Sequence, residues 1–396
     1  MMKVLSRERF LHYDENGRPV CTGFVTYISK DKPILMHCSG RQDYSDGYDE
    51  YAVMKSYDNG RTWTRPEMFL KSYPVEGGKM RYAEPAAFFD PDTQKLLVIS
   101  DRALYPNDTL DLDAVYSLVL DVYNPITDTW QPRQELDVSP ARAIVVSFTF
   151  PIKTSRGRIL VPAEQQVPGA DGRPLHYKGC SSPVYQPVTL IGEYEPDSSI
   201  RWRPGRPVAV DPEVSSRGLD ENTLAELPDG RIVMVIRGDN SMFPEKPGYK
   251  WLCVSEDGGM TWSDPVPLPC DKGEPIESGA NGSAFFRSIK TGKLYWMGNL
   301  CIHGVRPNGN WPRTPLVIVE VEERLGATPP VVLKRDTITV IDQRRPTEPE
   351  QVQHSNFRFY QDRENGDLVL FLTRYGERSA EQWMLADYYR YRVEID

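Results

Sequence analysis

The chain has 396 residues, with 47 Lys and Arg against 56 Asp and Glu, a net charge of −9. No basic run accompanies that balance, so nucleic acid and an anionic membrane surface are not expected partners, since both need clustered positive charge. Aromatic residues make up 11% of the chain, beside 34 Pro and 29 Gly, a mixture that suits many short strands and tight turns rather than long helices.

The opening MMKVLSRERF has no apolar stretch of the kind a secretion signal needs, which makes a cytoplasmic location the default expectation. No apolar run of the length of a membrane span follows, so no span is expected. Residues 4–13 read as a strand that completes the last sheet of the fold. The first sharp motif is SYDNGRTW, Ser56–Trp63, and it returns as SEDGGMTW, Ser255–Trp262. Both match S-x-D-x-G-x-T-W. In each, the Asp can accept backbone N–H bonds and the Gly can supply a positive φ, as a hairpin turn requires. Two looser copies lie between them, NPITDTW ending at Trp130 and EPDSSIRW ending at Trp202.

Between successive tryptophans one order recurs: a short apolar strand, a turn, a second strand such as KLLVIS, RILVPA or RIVMVI, a third strand, then the Trp turn. That is a four-stranded antiparallel unit, and near-regular repetition of such units predicts a propeller. Two further units lack the Trp turn, one holding SAFFRSIKTGKLYWMG and PLVIVEVEE, the other FRFYQDRENGDLVLFLTRYG and YYRYRVEI. The expected fold class is therefore all-β, one six-bladed β-propeller domain over residues 1–396. Six cysteines are scattered through it with no C-x-x-C pair, which argues against a structural zinc and leaves their pairing open. The turns themselves are read as architecture.

The turns, the six units and their intervals resemble the sialidase (neuraminidase) superfamily of Asp-box propellers, and the resemblance covers essentially the whole chain. It implies a glycosidase site with an arginine triad gripping the substrate carboxylate, an Asp acid/base, and a Tyr nucleophile activated by a Glu. In MHCSGRQDYSDGYDEYAVMKSYDNG, Arg41 matches a substrate-facing arginine and Asp46 the acid/base, with Asp49 the next choice; an acidic solvated loop is the plain alternative. In GLDENTLAELPDGRIVMVIRGDN, Glu221 matches the activating Glu and Arg237 the second triad arginine. One hairpin separates them, so both can project from adjacent strands toward one point; an ordinary cross-strand pair is the plain alternative. In NWPRTPLVIVEV, Arg313 matches the third arginine.

Two positions depart from that pattern. Where the first-strand arginine should stand the chain reads CTGF, Cys21–Phe24, and neither Cys21 nor Thr22 can form a bidentate pair with a carboxylate. Where the nucleophilic Tyr should stand, His354 occurs in QVQHSNFRFYQ; it is read as a base, a donor to a sugar, or a packed polar group. The missing arginine has candidate substitutes in Arg18, Arg287 and Arg374. Glu84 and Arg374 are expected to bind substrate, His37, Glu164 and Gln165 to lie nearby, and Tyr44, Tyr48 and Tyr82 to be able to stack on a sugar. The expected activity is an exo-acting glycoside hydrolase that removes a terminal acidic sugar from a glycan, with no cofactor and no metal. Asp46 would be general acid and Glu221 the base or the partner of His354. A non-catalytic carbohydrate-binding propeller and a uronate-directed lyase remain as alternatives. The sugar, the stereochemical outcome and the oligomeric state stay open.

Overall fold

In the computed structural model, which describes residues 2–139 and 143–395, both S-x-D-x-G-x-T-W segments are closed by their own side chains. The Gly60 N–H donates to Ser56 Oγ at 2.8 Å, and Asp58 accepts from the Thr62 N–H and Oγ at 2.8 and 2.6 Å. Gly259, Ser255, Asp257 and Thr261 repeat the arrangement at 2.8, 2.9 and 2.6 Å. The Thr62 bonds hold the Asp58 carboxyl down at about 2. Gly60 and Gly259 have φ of 80° and 90°, a region open to glycine at little cost. The tryptophan that follows each turn packs sideways: Trp63 on Phe10, Trp130 stacked on Phe69 at 4.4 Å, and Trp262 against the buried set that includes Leu160 and Met234.

Six small antiparallel sheets result, the blades of a six-bladed β-propeller. The residues fall into two compact units, one of Met1–Leu136, Ile289–Thr291 and Arg345–Asp396, the other of Asp137–Ser288 and Gly292–Arg344. The first unit holds three sheets. One is Val20–Tyr27, Leu35–Gln42, Tyr48–Ser56 and Glu67–Lys71; the next is built around Gly78–Asp90, Lys95–Pro106 and Ser117–Asn124. In the third, Arg358–Gln361, Leu368–Thr373 and Tyr388–Glu394 are joined by the N-terminal strand Lys3–Leu11, which pairs antiparallel with Tyr388–Glu394. The second unit holds the sheets centred on Ile159–Gln166, Ile232–Arg237 and Leu294–Asn299. Among the described residues, no helix is long and apolar enough to cross a membrane. All six cysteines are free thiols.

The first strand of several sheets breaks its ladder at one place. Register shifts fall between Thr22 and Phe24, between Ala83 and Ala86, and between Asp220 and Asn222. Glu84 and Glu221 occupy the last two breaks at φ of 47° and 35°. An extra residue in one strand bends it and re-aims a side chain, so these two glutamates leave the alternation that governs their neighbours.

His37 lies in the first unit's core, not at its surface. It is 1% exposed, ringed by Phe10, Trp63, Phe371 and Tyr388 with centroids 4.9 to 5.7 Å away, and its Nε2 is 3.0 Å from the Tyr388 hydroxyl. Burial pushes its pKa from 6.5 down to about 3. As pH falls between those values the unfolded chain takes up a proton that the folded chain refuses, so stability is lost toward acid. The expected slope from this one group is roughly 1.4 kcal/mol per pH unit. Urea unfolding of wild type and His37→Gln across that window should show the variant gaining on wild type as the pH drops; a constant difference would mean His37 is not neutral in the core.

Candidate active site

In the second unit the strand pairing puts three ionisable residues in a row. Asp220 lies opposite Arg237, and Arg237 opposite Lys250. The break after Asp220 turns Glu221 back onto the same guanidinium. Arg237 thus meets Glu221 Oε1 at 2.5 Å and Asp220 Oδ1 at 3.3 Å, and donates to Asn310 Oδ1 at 3.0 Å. Asp220 also meets Arg217 at 3.3 Å. Lys250 is 2% exposed; its ammonium donates to Gly279 O at 3.3 Å, to Asn281 Oδ1 at 3.0 Å and to Asn281 O. Arg313 donates to Ala280 O at 3.3 Å.

This packing separates two neighbouring carboxyls. Burial pushes both upward. For Asp220 burial prevails over Arg237 and Arg217, and the pKa is raised. For Glu221 burial is outweighed by Arg237, then Arg313, Lys250 and Arg217, and the pKa is lowered. Burial, followed by the nearby Arg237, pushes Lys250 down to about 7. Adjacent acids driven in opposite directions mark a site able to hold one carboxylate and one carboxylic acid at the same pH. Glu221, Arg237 and Arg313, which the motifs suggested, are therefore brought together, while Asp220, Arg217, Lys250 and Asn310 carried no signal beyond lying next to them or within a strand.

The first unit gathers a different set. The Tyr48 hydroxyl donates to Glu84 Oε1 at 2.8 Å and lies 3.4 Å from Asp46 Oδ1. Arg358 approaches the other oxygen of Glu84 at 3.2 Å and donates from Nε to Gly23 O at 2.5 Å. A small cavity beside them is lined by Thr22, Gln42, Tyr48, Glu84, Asn356 and Tyr375, among others. Burial first, then the neighbouring Glu84 and Asp46 charges, push the Tyr48 phenol well above its ordinary range. Asp46 itself is exposed, at a φ of 57°.

Arg41 does not join this group. Its neighbour Gln42 reaches the cavity, and Arg41, one residue earlier, donates to the carbonyls of His12 and Arg18 at 3.0 and 3.2 Å. His354 is fully buried, with Nε2 3.0 Å from Arg374. Arg374 is in turn paired with Glu348 at 3.1 Å and Glu377 at 3.3 Å. Of the suggested substitutes for a first-strand arginine, Arg18 faces Asp14, Asp43, Asp49 and Glu50, and Arg287 faces Glu323. The arginine that touches the strand Val20–Tyr27 beside Thr22 is Arg358, which the sequence motifs did not single out.

No family model matches the chain. A sialidase of Micromonospora viridifaciens is 25% identical over 293 residues, 68% of this chain and 40% of that protein, so the chain spans less than half of its length. Among solved structures, the intramolecular trans-sialidase from Ruminococcus gnavus, in complex with oseltamivir carboxylate, superposes with a TM-score of 0.61 at 13% identity, covering 93% of this chain and 94% of that one. The α-L-arabinanase of Penicillium chrysogenum, complexed with arabinobiose, gives a TM-score of 0.57 at 12% identity over 99% and 98%. The chain thus has the six-bladed fold of these structures and a sialidase among its relatives.

Removing a buried cation from between two carboxylates leaves uncompensated charge. Arg237→Met should cost about 3–5 kcal/mol in urea unfolding; a loss below about 1 kcal/mol would show that solvent already screens the pair.

Proposed function

We propose that the protein is an exo-acting glycoside hydrolase that removes a terminal, negatively charged sugar from a glycan. The observation that carries this reading is the charge balance around Glu221. Four cationic side chains, Arg217, Arg237, Lys250 and Arg313, act on a cluster whose carboxylates are Asp220, Glu221 and Asp239. Burial moves both Asp220 and Lys250 toward their neutral forms, so the positive excess rests on the three guanidiniums of Arg217, Arg237 and Arg313. A sugar carboxylate fits that excess, and Arg237 and Arg313 supply planar guanidinium donors for it.

Asp46 is assigned the role of general acid, since its carboxyl is exposed beside the Tyr48–Glu84 pair. Glu221, ionised through its cations, is assigned the base or the activation of the attacking group. His354 and Arg374 are assigned to mutual support, because both are buried and bonded to each other or to Glu348. Glu84 is assigned to substrate positioning through Tyr48.

A panel of methylumbelliferyl glycosides tests the reading: a sialoside, related ulosonic and uronic acid glycosides, and a neutral arabinoside. Release from an acidic glycoside is expected, with kcat lowered about 10²–10⁴-fold in Glu221→Gln. Release from the neutral glycoside alone would remove the acidic substrate. No release from any, with glycan binding retained, would make the protein a carbohydrate-binding propeller.

A further inference from the structure

Asp46 is exposed, yet the turn that carries it is held by two buried groups, Arg81 and Tyr105, that the proposed reaction does not use. The turn is closed by Asp43 N–H to Gly47 O at 2.8 Å and Gly47 N–H to Tyr44 O at 2.9 Å. Gly47 has no room for a side chain, since a Cβ there would meet the Tyr44 ring at 2.6 Å. Beneath it lies Arg81, on the strand Gly78–Asp90 and 2% exposed.

Every donor of that guanidinium is directed at the turn or at its support. Nη1 donates to Tyr48 O at 2.6 Å and lies 3.5 Å from Gly47 O. Nη2 donates to Asp43 Oδ2 at 2.9 Å and to Asp108 Oδ1 at 2.7 Å, and Nε donates to Asp108 Oδ1 at 3.0 Å. The Tyr44 and Tyr105 rings each stand 5.4 Å from its central carbon. The Tyr105 hydroxyl then donates to the backbone carbonyl of Asp46 itself at 2.9 Å. Exposed loop tips are ordinarily mobile; here the Asp43 carboxylate before Asp46 and the Gly47 and Tyr48 carbonyls after it are tied to one buried fork that no other side chain reproduces.

We propose that Arg81 is a positioning residue that, with Tyr105, holds the Asp46 carboxyl where it delivers its proton to the leaving group. The inference rests on the reading of Asp46 as general acid. In that step an attacking group activated by Glu221 bonds to the anomeric carbon as the bond from that carbon to the glycosidic oxygen breaks; the electron pair goes to the oxygen, which takes the Asp46 proton. The sugar leaves with a hydroxyl that comes from water, and the second proton of that water restores the Asp46 acid. A departing sugar alcohol depends on that proton, whereas methylumbelliferone leaves as a stable phenolate without it. Misplacing an acid therefore costs most with a poor leaving group, a signature that loss of general rigidity does not produce.

The test compares wild type, Arg81→Lys, Tyr105→Phe and Asp46→Asn on two glycosides of the same terminal sugar, one with methylumbelliferone and one with a second sugar as leaving group. Thermal unfolding confirms that each variant is folded, and Tyr105→Phe, which removes a single hydroxyl, covers the case in which Arg81→Lys does not fold. The expected result for Arg81→Lys and Tyr105→Phe is a loss in kcat of about 10-fold or more on the disaccharide and less than about 3-fold on the aryl glycoside, with KM unchanged. Asp46→Asn should show the same asymmetry more strongly. Equal losses on both substrates, or a change in KM alone, would overturn the role of Arg81. An Asp46→Asn enzyme that matches wild type on the disaccharide removes the acid reading itself, and the role of Arg81 with it.

Discussion

A β-strand alternates its side chains with a period of two, and a sheet that hydrogen-bonds every residue cannot choose which way any one of them points. The propeller strands escape that constraint by breaking the ladder once. Glu221 sits in such a break at a φ of 35°, and Glu84 in another at 47°. In unbroken pairing, Glu221 and Asp220 would face opposite sides of their sheet. The break lets both carboxylates meet one guanidinium, and the charge cluster of the second unit depends on it. The backbone conformation is unfavourable for a residue with a Cβ, and the Arg237 contacts are among those that hold it.

Once the two acids share Arg237, their surroundings decide what each one is. Asp220 is the more deeply buried, and loss of water governs it; Glu221 has four cations acting on it, and they govern it. The first unit follows another plan. Arg358 there is committed to Glu84, Arg374 to Glu348, and Arg41 to the carbonyls of His12 and Arg18. What that unit presents beside its small cavity is mostly neutral, a lining of hydroxyls and amides around Glu84.

Much of this was legible in the sequence, and the part that was not has a common cause. The Trp turns announce themselves because a single loop contains both the acceptor and the donors that close it. The Glu221–Arg237 pair was legible because a single short hairpin fixes their relation. Arg41 was not, because the alternation of its strand sends Gln42 to the cavity and Arg41 to the carbonyls of His12 and Arg18, a parity the motif does not reveal. His37 and His354 read as polar candidates and lie in cores, since a histidine's surroundings come from sheets distant in sequence. Arg358 and Lys250 were invisible for the same reason: each sits inside an ordinary apolar strand pattern, and its partners lie on other strands or loops.

The pairing of Lys3–Leu11 with Tyr388–Glu394 has a consequence in time rather than in energy. These strands stand far apart in sequence, with 382 positions between Glu8 and its partner Arg390. Closing so long a loop is entropically costly before any contact rewards it, and such pairings form slowly. During synthesis the strand Lys3–Leu11 emerges with no partner and must wait until Tyr388–Glu394 has been made. Until then the last sheet has an open edge, and the aromatic packing of Phe10 against Phe371 and Tyr388 is unmade. The N-terminal strand therefore acts as a late clasp, and the history of the chain, more than its final stability, is where damage to that strand would first be felt.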